Sequence, residues 1–467
     1  MKRLSPSVAG VLLASLFMPF VALAPLSAYA AQDLVSAWQA AQAHDPAFAS
    51  ARAQWQAGQT KQRQSSALFM PQVAVTGSLS GISMDRDTRG AQFNAPGFGS
   101  ANDAEFRSKI NAGPATNVAL VARKPLYNAE LQANASQLER QAQLADVQFR
   151  FAQQELVLRT AQSYFAVLLA EDTLASLESQ KKAAAHALEV AEESFEAGAL
   201  PVTDRNEAQA RYDEIASQQL VASDDLQLKR SALFDLTGVS AEDIRKLNAN
   251  VSLERYLVGP LAQWTERAEQ HNLLLAMQRL GHDIARDEVA KYRALVSPSL
   301  DFVAQLSDER MSGGNGFGTT TRITSTAATV GLQLTIPLVT GGMRSAKHDE
   351  AVAMAEKARY DAEALRLEVL RQTQAAWLSV TTGIAQIRAQ EQVLRSASAR
   401  LDATETGQEV GARTTLDLVN AQADLFRAQL RLAQAKHQLL LGRLRLAAST
   451  GELSESDVQA VNAILTP

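Results

Sequence analysis

The sequence predicts an α+β chain made of two tandem copies of one unit, in which long α-helices alternate with paired amphipathic strands. Three observations predict it. A short motif occurs twice: residues 198–213 read GALPVTDRNEAQARYD and residues 411–426 read GARTTLDLVNAQADLF. Gly198, Asp204, Ala208, Gln209 and Ala210 are thus answered by Gly411, Asp417, Ala421, Gln422 and Ala423 at a constant offset of 213. Each half also carries a pair of segments alternating apolar and polar residues with a period of two, framed by prolines. Finally, each half holds an uninterrupted helical pattern over 129–196 or 342–407, which at 1.5 Å per residue is about 100 Å long.

The first thirty residues read as an export signal rather than as fold. Lys2 and Arg3 form a basic start, residues 8–26 are mostly apolar and small but broken by Pro19 and Pro25, and Ala28-Tyr29-Ala30 is an A-x-A cleavage site. The mature unit is then expected over 31–467, with repeat one about 31–250 and repeat two about 251–467. After residue 31 no run of about 18 apolar residues remains, so any passage through a bilayer has to be made by strands.

Residues 33–68 are helical in pattern, with Asp45 as a cap and Pro46 in the first turn of a second helix; Trp38 has its counterpart in Trp264. Pro71 stops this pattern, and Val73, Val75 and Leu79 then alternate with small polar residues. After Pro298, Leu300, Phe302, Ala304 and Leu306 do the same. Residues 83–117 and 312–326, rich in Gly, Asn and Asp, read as exposed hairpin loops. The GGNGFG stretch in the second is a hairpin tip rather than a phosphate cradle, because no Lys-Ser/Thr and no parallel strand accompany it. The return strands are expected over 116–126 and 328–338, closed by Pro125 and Pro337. In the first long helix, Leu138, Ala142, Ala145, Phe149 and Leu156 form one heptad stripe and Leu144, Val147, Phe151, Leu158 and Phe165 another. Two stripes call for a neighbour on each side, as in a closed wall of helices. Each long helix ends at a glycine and a shorter one returns, over 202–234 and 415–448; residues 235–260 join the halves, and 450–467 hold one small helix.

Composition excludes several functions. Forty-five Lys and Arg against 50 Asp and Glu give a formal charge of -5, which offers no basic surface for nucleic acid. The chain has no cysteine, so there are no disulfides, thiolate metal sites, cysteine nucleophile or lipoprotein cysteine. No H-E-x-x-H, Walker lysine loop or G-x-S-x-G elbow occurs. His271 and His282 are read as sharing a helix face as solvated histidines rather than as a zinc site. No catalytic, cofactor or metal residues are expected.

Four strands cannot close a membrane barrel, whose smallest examples have eight, so several chains have to share one. The order of elements, repeated twice, resembles the TolC family of outer-membrane export ducts over essentially the whole mature chain. The most specific pieces are VGARTTLDLVNAQ at the second tip and PLVTGGMRSA after the fourth strand. The resemblance implies a homotrimer with a 12-stranded barrel in the outer membrane, four strands per chain, continued by an α-helical tube across the periplasm. It also implies a girdle from residues near 235–260 and the C-terminus, and a passive duct rather than an enzyme. Cargo, a secreted polypeptide or small toxic compounds, would come from an inner-membrane transporter, ABC-type or proton-driven, through a periplasmic adaptor protein.

The resemblance also assigns roles at the tips. Asp417 matches a ring of carboxylates that narrows the periplasmic entrance, while a second acidic position of many relatives is Asn420 here. Arg413, Thr203 and Asp204 match a hydrogen-bonded latch between tips, with Gln408 where a relative has Tyr. Gly198, Ala199 and Leu200, and Val410, Gly411 and Ala412, are small tip residues where an adaptor would dock. For all of these the simpler role is helix capping and solvated charge. Two other classes compete: a periplasmic adaptor, which would carry one helical hairpin in soluble β-domains, and an exported coiled-coil protein, which would lack the paired strands.

Overall fold

The computed structural model describes residues 32–248, 258–293, 297–314 and 318–465. The expected export signal, nine residues of the expected joining stretch (249–257) and the centre of the GGNGFG turn lie outside the described residues.

Each repeat begins with a short helix, a kink and a longer helix. Helix α1 (Leu34–His44) ends at Asp45, whose carboxylate accepts from the Ala47 and Phe48 amides (3.3 and 3.0 Å) to start α2 (Pro46–Ala67). Arg159 donates to the same carboxylate at 2.6 Å. The second repeat makes the same break at Asn272, which accepts from the Leu275 amide (3.1 Å) between α5 (Leu261–His271) and α6 (Leu273–Tyr292). Asn272 therefore corrects one expectation: His271 and His282 lie on two different helices, because an Asn side chain that caps one helix interrupts the other.

Strands β1 (Gln72–Ala95), β2 (Gly99–Asn128), β3 (Ser299–Gly314) and β4 (Thr320–Thr335) form one antiparallel sheet in that order. The expected loop over 83–117 is mostly ladder: Asp87 pairs with Arg107 and Asn94 with Ser100, and the turn is confined to 96–98. In the second hairpin Ser312 pairs with Arg322, so that loop too is shorter than expected. Pro125 lies inside β2, opposite Asp301 at an irregularity in the ladder, and Pro337 lies beyond the end of β4. The register puts Val75, Leu120, Leu306 and Ala328 in one row, and Val73, Ala122, Ala304 and Val330 in the next, on one face. That face is exposed: Val75 is 71% accessible, Leu79 77% and Val330 70%. The opposite face carries Ser78, Asn117, Gln305 and Thr329. An apolar face turned outward and a polar face turned inward is the pattern of a barrel wall in lipid. Strands β1 and β4 each leave one edge unpaired.

Helix α3 (Ala129–Glu196) packs on both flanks, as its two stripes require. Its first half lies between α2 and α6, with Trp55 donating to Asp146 (2.7 Å) on one side and Gln137 to Glu288 (2.7 Å) on the other. Its second half lies between α4 (Val202–Thr237) and α8 (Thr415–Ser449). Helix α7 (Met343–Glu409) packs on α5, α6 and α8, and its other flank is open. Exposed apolar side chains mark both edges of this wall: Leu220, Val221 and Leu228 on α4, and Met354, Leu367 and Val393 on α7. Small residues set the close spacing inside it. A Cβ on Gly58 would fall 2.2 Å from that of Ala145, and one on Gly383 3.3 Å from Leu439.

The main core sits at mid-height, where α3, α4, α7 and α8 meet α1, the chain after α4 and α9 (Glu455–Asn462). Tyr164 is fully buried there, its hydroxyl donating to the Arg245 carbonyl at 2.7 Å, with the Gln32 carbonyl at 3.0 Å. Burial pushes that phenol well above its usual range. The joining stretch and C-terminus thus form a girdle, through bridges of Gln32 with Ile244 and Leu247 with Leu465. Among the described residues no helix is long and apolar enough to cross a membrane.

Candidate functional site

The two tips are built alike. Gly198 (φ +73°) ends the turn after α3 and Gly411 (φ +74°) the turn after α7, both in the left-handed region that a Cβ disfavours. At the first, the Ala199 amide donates to Ser194 O (2.8 Å); at the second, the Ala412 amide donates to Gly407 O (2.7 Å). Ala199, Val410 and Ala412 are exposed and Leu200 is half-buried, so both tips end in small or apolar surface.

The repeats differ in how the return helix starts. Thr414 and Asp417 form a reciprocal capping box: the Asp417 amide donates to the Thr414 hydroxyl (3.1 Å), and Asp417 Oδ2 accepts from the Thr414 amide and hydroxyl at 3.0 Å each. The Thr414 amide holds the Asp417 carboxyl below the usual carboxylate range, helped by its hydroxyl and by Arg413 and Arg400. In the other repeat Pro201 stands at the cap without a side-chain hydrogen bond, and Asp204 instead accepts from the Thr203 hydroxyl (3.1 Å).

Asp204, Gln408 and Arg413 line one groove of about 450 Å³ between the two hairpins, floored by Ala187, Ala191 and Val419. The structure thus brings these three residues together, whereas Thr203 is exposed and does not line the groove. Asp204 and Arg413 form no ion pair within the single chain among the described residues. Arg413 lies over Gly407, whose Cβ would fall 2.7 Å from its Cγ, and Gln408 donates to the Thr415 hydroxyl at 3.3 Å. Asn420 is exposed, one turn beyond Asp417. Sequence reading missed a further group on the same hairpin. Arg400 and Arg427 both donate to Asp424, at 2.5 and 2.7 Å, joining α7 to α8 above the tip. The i, i+3 spacing of Asp424 and Arg427 on one helix was the available signal. Among the described residues no group of three His, Cys, Asp or Glu could hold a metal.

Comparison with known proteins adds the following. The outer membrane efflux protein family profile matches residues 37–239 and 264–452. The outer membrane protein TolC of Vibrio cholerae is 28% identical over 94% of this chain and 94% of its own length. The alkaline protease secretion protein AprF of Pseudomonas aeruginosa is 31% identical over 73% of this chain and 70% of its own. Among solved structures, the CmeC outer membrane channel of Campylobacter jejuni superposes with a TM-score of 0.73 at 14% identity, covering 93% of this chain and 90% of that one.

Proposed function

The chain belongs to the outer membrane efflux protein family, and from that premise we propose that three copies assemble into one duct and that the helical tips are its periplasmic gate. The protein is an outer-membrane channel of an export system. In the trimer, the free edge of β4 in one copy pairs with the free edge of β1 in the next, giving twelve strands. The open flank of α7 meets α4 and α2 of the neighbour, covering the apolar residues that line both edges. The observation that supports this most directly is the sheet, with one exposed apolar face, one polar face and two unpaired edges. A lone sheet of that kind would be unstable in water and cannot close in lipid.

Cargo enters at the tips. A periplasmic adaptor docks on Gly198, Ala199 and Leu200 and on Val410, Gly411 and Ala412, and couples the duct to an inner-membrane transporter. The duct supplies only a path. Three Asp417 carboxylates converge there and favour cations, while Asp204, Thr203, Gln408 and Arg413 bias the tips shut. The resemblance to a protein named for protease secretion supports a secreted polypeptide as cargo. The experiment is the mass of the detergent-extracted outer-membrane protein by native mass spectrometry. Three chain masses are expected, and a monodisperse monomer in mild detergent would overturn the reading.

A further inference from the structure

The alternation of the sheet changes phase along its length. Near the helices, the outward positions are apolar and the inward ones polar, as with Leu306 against Gln305. Further out, the outward positions become Asp308, Arg310 and Thr324, while the inward ones become Ile82, Ala115, Met311 and Ile323. With Ile110, which is fully buried, these inward residues form a small apolar core of their own. An inward face that is apolar and packed is not the wall of a water-filled channel.

The chain's own first hairpin provides the cover. Strands β3 and β4 end at the level of Asn111, so residues 84–95 of β1 and 99–110 of β2 continue alone as a two-stranded ribbon, about 40 Å long at 3.3 Å per residue. Its base is bent at 112–114. Ala112 takes φ +42°, the only non-glycine positive φ among the described residues. A Cβ on Gly113 would fall 1.8 Å from the Ser312 carbonyl oxygen, and one on Gly313 2.7 Å from Ile110. This close approach, with Ile110 buried beside Met311, packs the base of the ribbon against the inward side of β3.

Along its length the ribbon is charged, Arg107 gripping Asp87 through two bonds (2.6 and 3.0 Å) and Arg89 facing Glu105. Phe106 sits within this charged stretch, opposite Thr88, and the ribbon becomes aromatic beyond it, at Phe93 and in the turn. Phe93 and Phe106 lie with ring centres 6.0 Å apart and Phe98 in the turn is 88% exposed. A charged stalk whose turn exposes Phe98, with Phe93 just behind it, presents its end to a partner. A twelve-stranded barrel has a radius of about 12 Å, so a ribbon of about 40 Å anchored on the inward side of its rim is long enough to reach the axis and a second copy there.

Building on the trimeric duct reading, we infer that the three ribbons converge over the outer mouth through Phe98 and Phe93, the latter backed by Phe106, and form an exit-side constriction, separate from the helical tips. The test uses Gln305→Cys, on the inward face below this collar, in a chain with no other cysteine. Intact cells are treated with a small maleimide or with one carried on a short polyethylene glycol chain. Relative to the small reagent, the polymer reagent should label the full chain at least about tenfold more slowly than a variant in which residues 85–109 are replaced by an Asn-Gly turn. A second variant keeps the ribbon but carries Phe93→Ser, Phe98→Ser and Phe106→Ser, and should also admit the polymer reagent faster. Equal polymer rates in the full chain and both variants would overturn the constriction. Native mass on the same preparations separates the two readings: an assembled trimer with equal rates removes the exit constriction alone, whereas absence of the trimer removes the duct.

Discussion

Acidification should loosen the helical wall through a single histidine. His437 of α8 is 5% exposed and stacks on Phe165 of α3 with ring centres 5.2 Å apart; its Nδ1 meets no hydrogen-bond partner among the described residues. Burial, with the neighbouring Lys436 cation adding, pushes its pKa from an ordinary 6.5 down to about 4. The folded chain therefore binds this proton more weakly than the unfolded chain does. The stability is complete above pH 6.5 and is lost as pH falls from there toward 4. At about 1.4 kcal/mol per pH unit, the loss is about 2 kcal/mol per chain at pH 5 and about 3 by pH 4. Other groups fall outside this window or oppose it. Asp33 and Glu288 sit below their ordinary values, held by hydrogen bonds from Ser36 and Lys291 against the opposing effect of burial, so their contributions disappear only at lower pH. Asp172 is raised by burial and works in the opposite direction. The assay is the temperature at which the detergent-extracted assembly dissociates, at a fixed scan rate, for the parent and His437→Gln from pH 8 to 5. The parent should lose more stability than the variant across that range. Parallel curves would refute the argument.

Gly58→Ala should separate α2 from α3 and cost about 1–3 kcal/mol, read as a lower dissociation temperature, because two rigid helix backbones meet there; adding Ala145→Gly should restore most of it. Asp417→Asn keeps an acceptor for the Thr414 amide but removes the charge, so the reversal potential in a salt gradient should shift toward lower cation selectivity with the trimer intact. An unshifted potential removes Asp417 from the constriction. Asp204→Ala and Arg413→Ala should each raise single-channel conductance in planar bilayers, since an exposed latch is worth only about 0–1 kcal/mol per pair; conductance at the parent value would discard the latch.

Helix ends were legible because local chemistry fixes them. The expected 129–196 helix matches α3, which starts where Asn128 accepts from the Glu130 and Leu131 amides and ends before Gly198. The membrane strands were legible because one face is apolar. The ribbon was not, because its pairs are charged across the ladder, as Asp87 with Arg107, and neither strand alternates apolar with polar residues. Such strands show themselves only through their partner, which in this case lies about twenty residues on. The tip residues could be named but not assigned. Whether Asp417 faces a pore or caps a helix depends on Thr414 three residues earlier, and the chain uses its carboxylate for the cap whatever else it does.

That last point bears on why a duct built from tandem repeats need not have equivalent tips. Asp204 and Asp417 are the same residue of the repeated motif, 213 positions apart, and both open the first turn of a return helix. The residue three positions earlier separates them. Thr414 offers a hydroxyl and an amide, and its partner Asp417 is fixed by both. Pro201 has no amide hydrogen and no side-chain donor, so Asp204 is left holding only the Thr203 hydroxyl. One carboxylate is thereby committed to a fixed position and the other left free to seek a cation across the groove it shares with Arg413. Pro201→Thr would recreate the capping box in the first repeat. Asp204 would then be drawn into the cap and away from Arg413, so conductance should rise as it does in Asp204→Ala, although no charge has been removed. A latch that depends on the Asp204 charge alone, rather than on its freedom to move, would leave this variant closed.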